Sequence, residues 1–207
     1  MNSSVAVIVL CGRERDQWIN PALMKRVVES LYDGLQARRP ISIDLQYGTS
    51  PVEMARNLVV KNFLQNPSNW LIQIDNDVVP PEHFLKLVDA AEAEGKRVFG
   101  IPTPTISNHG LAWNIGLKHQ DDELRCNLFN SLPPGWNRCD YLGGAFLAVH
   151  RCVLEAIKGD WFNRTPTKSE DFAFSERARK AGFSLWFHGD SQCDHIHSAS
   201  LLEMLKK

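Results

Sequence analysis

The chain has 207 residues, of which 43% are hydrophobic and 23% charged, with a formal net charge of −1. That suffices to bury one sizeable core across 1–207, while the neutral balance leaves no footprint for broad nucleic-acid or membrane-surface binding. Five cysteines (Cys11, Cys126, Cys139, Cys152, Cys193) show no Cys-x-x-Cys spacing and read as reduced thiols of a cytoplasmic protein.

Val5 to Cys11 reads as a buried first strand. It is too short, and too closely followed by Arg13-Glu14-Arg15-Asp16, for a signal peptide or membrane span, so no membrane insertion is expected. Asn20-Pro21 supplies an N-cap and a first-turn proline. Leu23, Val27, Leu31 and Leu35 then repeat at helical spacing to about Arg38. Ile41, Ile43, Leu45 and Tyr47 alternate as a strand closed by Gly48. Ser50-Pro51-Val52-Glu53 has the form of a capping box, opening a helix through about Gln65. The run Trp70 to Ile74 is a strand ending in Asp75-Asn76-Asp77, and Pro80-Pro81 opens a third helix whose face is Phe84, Leu87, Val88 and Ala91, stopped by Gly95. Arg97 to Ile101 is a short strand. Strand and helix thus alternate over 1–101, the pattern of an α/β protein with a mostly parallel sheet flanked by helices. Over 102–138 periodicity fades into a hairpin or loop excursion carrying Trp113 and Trp136. In 139–207, Tyr141 to Val149 reads as a strand with Gly143-Gly144 inside it, and Arg151 to Lys158 as a helix. Ser169 caps a further helix ending at Gly182, and Phe183 to Phe187 is a last strand leading to Asp194-His195-Ile196-His197.

The chemistry concentrates at Asp75 and Asp77. Alternation along a strand would put both carboxylates on one side. At about 5 Å they repel by roughly 3 kcal/mol at an effective dielectric near 20, a pressure relieved by a hard divalent ion, Mg²⁺ or Mn²⁺. In parallel sheets, ligands sit outside the carboxyl ends of the strands, where this pair arrives. An arginine at Arg56, near the acidic strand, could hold a diphosphate by charge-assisted hydrogen bonds. Glycines at 143 and 144 remove side chains where a ligand approaches the backbone closely, or mark a bulge. Trp113, Trp136 and Trp161 are candidate stacking surfaces, with core packing as the competing reading. Glu170 and Asp171 are candidate general bases, although acids in a first helical turn also stabilise the helix through its dipole.

Four segments in order resemble the nucleotide-sugar-dependent glycosyltransferases of the GT-A fold, particularly the family 2-like group. They are Ala55-Arg56-Asn57; Ile74-Asp75-Asn76-Asp77, similar to the family's Asp-x-Asp motif; Leu142 to Arg151; and Ser169-Glu170-Asp171 through Phe183 with the histidines that follow. The resemblance implies a GT-A, Rossmann-like sheet in which 1–101 is the nucleotide-binding half, 102–138 a variable excursion and 139–207 the acceptor and metal half. It implies transfer of a sugar from a nucleotide diphosphate donor, a UDP-sugar first and a GDP-sugar second, to a hydroxyl on a glycan or a modified nucleobase in DNA. It gives Asp77 the direct contact to Mn²⁺ or Mg²⁺ and sets Asp75 beside it, towards the ribose. His195 completes the metal site, with His197 in reserve. Asp171, ahead of Glu170, becomes the base of an inverting single displacement. Arg56, Asn57, Asn76, Gly143 and Gly144 join Asp75 in the donor site. Two alternatives stay open. A nucleotidyltransferase of related fold usually has a glycine-rich loop after the first strand, where this chain has only Gly12; a sugar- or nucleotide-binding module without turnover shares every one of these features. A dinucleotide oxidoreductase is disfavoured because no Gly-x-Gly-x-x-Gly is present.

Overall fold

The computed structural model describes residues 3–11, 19–107, 110–119 and 126–196. Strand β1 (Val5–Leu10) is apolar throughout because both of its faces are buried: Val5, Val7 and Val9 pack into one core, Ala6 and Leu10 into the other. Helix α1 (Pro21–Gln36) covers the first face with Leu23 and Val27. Its N-cap is the predicted one, the Asn20 side chain accepting from the Ala22 N–H at 2.8 Å with Pro21 at the first position. Strand β2 (Ile41–Gln46) follows, then α2 (Val52–Leu64), which packs Val59, Val60 and Phe63 on the opposite face. Here the predicted capping box is absent. The helix begins behind Pro51 with no side-chain cap, and Glu53 leaves one buried oxygen without a hydrogen bond.

Strand β3 (Trp70–Asp75) stops at the first aspartate; Asn76 and Asp77 form a turn before β4 (Val78–Val79). Helix α3 (Leu85–Ala93) begins later than Pro80-Pro81 would place it, and β5 (Val98–Gly100) completes the first hundred residues. The excursion is more ordered than its sequence implies. Strands β6 (Pro104–Ser107) and β7 (Gly110–Trp113) make a hairpin, β8 (Ile115–Lys118) pairs with β9 (Cys126–Leu128), and β10 (Trp136–Cys139) joins the main sheet. The strand predicted over Tyr141 to Val149 is two strands. Strand β11 (Tyr141–Leu142) belongs to the small β8–β9 sheet and β12 (Phe146–His150) to the large one, with Gly143-Gly144 turning the chain between them. Helices α4 (Arg151–Ala156) and α5 (Glu170–Lys180), strand β13 (Leu185–His188) and the short β14 (Asp194–His195) finish the described chain.

The large sheet has seven strands in the order β10-β13-β5-β12-β3-β1-β2, with β12 and β10 running against the others. It is an α/β architecture with α1 and α3 on one face and α2, α4 and α5 on the other. Among the described residues, no helix is long and apolar enough to cross a membrane.

Candidate active site

The site begins where β3 ends. The Asp75 N–H donates to Ala145 O at 3.0 Å and the Asn76 N–H to Leu10 O at 3.1 Å, so the strand end is fastened to both neighbours. The turn then swings Asp77 towards β14. Strand β4 pairs antiparallel with β14, His195 opposite Val78, and the Ile196 N–H donates to Asp77 O at 2.9 Å. That register brings the His195 ring to Asp77, Nε2 standing 3.3 Å from Oδ2. Asp75 and Asp77 are therefore neighbours through a turn rather than through strand alternation.

Both ring nitrogens of His195 face acceptors: Nδ1 lies 3.0 Å from Pro104 O and Nε2 faces the Asp77 carboxylate. A neutral imidazole carries one proton, so one of these contacts would set lone pair against lone pair. Either the ring takes a second proton or a cation replaces it at Nε2. The first response is visible in the raised pKa of His195, caused chiefly by its hydrogen bond to Asp77 and opposed by burial. The donor set fits the second response equally well. Two ligands of one octahedral ion, each at about 2.1 Å, stand about 3 Å apart, close to the observed 3.3 Å. Among the described residues no three His, Cys, Asp or Glu side chains converge as a complete metal cage. A site of this kind is completed by substrate phosphates and water, the usual habit of Mg²⁺. His197 lies outside the described residues.

Beneath this rim the site is buried and dense with charge. Gln73, two residues before Asp75 on β3, is 2% exposed and accepts from Arg56 Nη1 at 3.2 Å. Arg56 Nη2 reaches both Asp75 oxygens, at 3.0 and 3.3 Å, while its Nε faces Glu170 Oε1 at 3.6 Å. Burial works against the guanidinium's charge, but Asp75, Glu170 and Asp171 outweigh it and hold its pKa above the usual range. Asp75 is pushed up to about 6: burial raises it, Arg56 opposes the rise, and Asp77 and Asp171 add to it. Three carboxylates, Asp75, Glu170 and Asp171, thus act on one buried cation, Asp77 adds its charge at Asp75, and Arg164 meets Glu170 from the exposed side.

Glu170 is held in this layer by Arg56 and by Arg164 at 3.4 Å, and only 8% of its side chain is exposed. Asp171 is oriented differently. Its Oδ2 accepts the Gly144 N–H at 2.9 Å, and its Oδ1 accepts the Phe172 N–H at 2.8 Å and the Ser169 hydroxyl. The predicted cap serine thus orients the carboxylate instead of capping the helix backbone. The two glycines allow close approaches. A Cβ at Gly144 would lie 2.5 Å from Arg56 Nη2, and one at Gly143 would lie 2.4 Å from Asn114 Nδ2. Asn114 had no signal in the sequence, yet its side chain accepts from Thr103 N and its backbone carbonyl from Gly143 N, tying the excursion to this turn. Gln73 did have one, a polar residue inside an apolar strand.

Asn57 lies away from the cleft; its amide donates to Phe162 O and accepts from Phe162 N at 3.0 Å, latching α2 to the segment before α5. Trp113 and Trp161 are buried, and Trp136 packs edge-on against Phe99 and His188, so these indoles serve the core. A cleft of about 300 Å³ opens above the strand ends, lined by Leu10, Cys11, Thr49, Ser50, Asp75 and Asp77 among others, within the size range of small-molecule sites. Asn76 lies in its wall. A cleft of about 340 Å³ near Arg138, Asp140 and Ser184 sits at the opposite edge of the sheet, where the Asp140 carboxylate is engaged by Arg179 and Lys118 N.

Several solved structures share this architecture at low sequence identity. A197 from STIV matches with a TM-score of 0.62 and 17% identity over 94% of this chain and 86% of its own. GalNAc-T7, solved with UDP, GalNAc and Mn²⁺, matches with a TM-score of 0.59 and 12% identity over 94% of this chain and 44% of its own. A protein described as a glucose-1-phosphate thymidylyltransferase from Bacillus anthracis, in complex with sucrose, matches with a TM-score of 0.56 and 11% identity over 98% of this chain and 94% of its own. At such identities the likeness establishes a Rossmann-like, GT-A-type fold. No protein-family model and no curated protein sequence matches the chain.

Proposed function

We propose that the chain is a metal-dependent glycosyltransferase, moving a sugar from a nucleotide diphosphate donor, a UDP-sugar before a GDP-sugar, to a hydroxyl acceptor. The observation that carries this reading is Asp77, in the lining of a cleft at the carboxyl ends of the parallel strands, with its Oδ2 facing His195 Nε2 at 3.3 Å. Asp77 and His195 would hold Mn²⁺ or Mg²⁺, with Asp75 beside them. Such an ion neutralises charge developing on a diphosphate leaving group. Asp171 is the general base in this scheme. Glu170 is committed to two arginines, whereas Asp171 is oriented by backbone N–H groups and a hydroxyl; its Oδ1 already accepts two hydrogen bonds, and its Oδ2, which accepts one, keeps a lone pair for an acceptor proton. A base on one side of the sugar and the leaving group on the other correspond to single displacement with inversion. The GalNAc-T7 structure with UDP and Mn²⁺ supports the donor and ion classes by analogy.

Asp171→Asn tests the assignment. It should lower transfer at least about a hundredfold while leaving donor binding within twofold by calorimetry. Unchanged turnover would remove Asp171 from the mechanism, and donor binding with no turnover in the wild type would mark a binding module. A nucleotidyltransferase deserves testing too, because the thymidylyltransferase-like neighbour is matched over 94% of its length. Release of pyrophosphate from a nucleoside triphosphate and a sugar 1-phosphate would favour that chemistry.

A further inference from the structure

Arg56 occupies the place where the sequence predicts a phosphate ligand, yet its guanidinium lies under the cleft and only 2% of its side chain is exposed. Its donors face Asp75, Gln73 and Glu170. Swinging the group out to a ligand would leave two carboxylates without a buried counter-ion. The neighbour above it is Gly144, and a Cβ there would lie 2.5 Å from Nη2 and 2.7 Å from Cζ. The backbone N–H of the same glycine holds Asp171 Oδ2 at 2.9 Å. Gly144 therefore meets Arg56 through its missing side chain and Asp171 through its amide. A displacement of the guanidinium is passed to Asp75 on one side and Asp171 on the other.

We infer that Arg56 is a positioning residue and not a ligand of the diphosphate: matched to Gly144, it fixes the Asp75 carboxylate of β3 against the Asp171 turn of α5. The inference rests on the metal-dependent reading above. Its geometry is specific to arginine. The planar fork meets Asp75 and Gln73 from two different nitrogens while its edge faces Glu170, an arrangement a lysine ammonium has no means to copy. The glycine follows from the same requirement, since backbone can pass this close to a guanidinium only without a side chain.

The test uses Mn²⁺ alone, titrated into nucleotide-free protein and followed by the electron paramagnetic resonance of the free ion, with UDP affinity measured separately. Arg56→Lys keeps the charge and loses the fork; Gly144→Ala keeps the arginine and pushes it. Both should weaken Mn²⁺ binding at least tenfold in protein that circular dichroism shows to be folded. Glu170→Gln, which relaxes the guanidinium from its other side without stranding a charge, should do the same to a smaller degree and serves if the first two fail to fold. Mn²⁺ affinity within twofold of wild type in the folded variants overturns the inference. If UDP binding alone then falls, Arg56 is a phosphate ligand; if neither changes, the cluster serves stability only. A wild type that binds no Mn²⁺ defeats the metal-dependent reading itself, a result distinct from both.

Discussion

The floor and the rim of the candidate site are built on opposite principles. In the floor, Arg56, Gln73 and Glu170 are almost fully buried and linked by direct polar contacts. On the rim, Asp77 and His195 are 39% and 19% exposed and meet at 3.3 Å across two short strands. The floor has geometry that only a rigid, low-dielectric setting maintains. The rim is a partly exposed carboxylate–imidazole pair, which in the proposed reading takes up an ion at modest cost to the fold. Asp75 and Asp77, two residues apart and both lining the cleft, are thus held in different ways: Asp75 from below by Arg56, Asp77 across the turn by His195.

Substitutions should separate these devices cleanly. Arg56→Met leaves Asp75 and Glu170 without their buried counter-ion and should cost about 3–5 kcal/mol, a loss of roughly 10 °C in melting temperature for a chain of this length. A loss under about 1 kcal/mol in urea unfolding would show that the floor is not organised around this cation. Next in size is a pH effect on ligand binding. Asp75 is pushed up to about 6 by burial and by its carboxylate neighbours, and an ion requires the ionised form, so protons compete as the pH falls through that value. Protonation of His195 at Nε2 competes with an ion over the same range, so metal-dependent UDP binding should be at least tenfold weaker at pH 5 than at pH 7.5, while uridine binding changes little; equal affinities at the two pH values would take both Asp75 and His195 out of the metal site.

The rim effect on the metal-free fold is smallest. His195 has its pKa raised by Asp77, so their ion pair contributes stability that is complete below the ordinary histidine value and is lost as pH rises through the raised one. Asp77 is more than a third exposed, which limits the pair to about 0.5 kcal/mol. Asp77→Asn should therefore destabilise the metal-free protein by about that amount at pH 6 and by less at pH 8.5. The opposite trend in urea unfolding would contradict the assigned contact.

Much of this was legible in the sequence, and the parts that were not share a physical cause. Strand β1 reads correctly because burial on both faces leaves a continuous apolar run, and α1 because Asn20-Pro21 marks its start. The acidic pair is legible as a carboxylate cluster at a strand end, but the turn that joins it depends on β4 pairing with β14, more than a hundred residues away. Gly143-Gly144 signals a close approach; the groups approaching, Asn114 and Arg56, come from distant segments. Beside its local pairs, β6 with β7 and β8 with β9, the excursion hides short strands with partners outside it, β10 with β13 and β8 with β11. Local periodicity carries no record of such pairings.

The central claim is that Asp77 and His195 form a rim that binds a divalent ion together with a nucleotide diphosphate. The most direct measurement is thermal unfolding of wild type and Asp77→Ala with UDP, with Mn²⁺, and with both. A ligand at about 100 times its dissociation constant adds roughly 2.7 kcal/mol, so a shift of several degrees is predicted for wild type with UDP and Mn²⁺ together, larger than the shifts with either alone combined, and no such excess for Asp77→Ala. Equal shifts in the two proteins, or none for wild type in any combination with UDP, would contradict it.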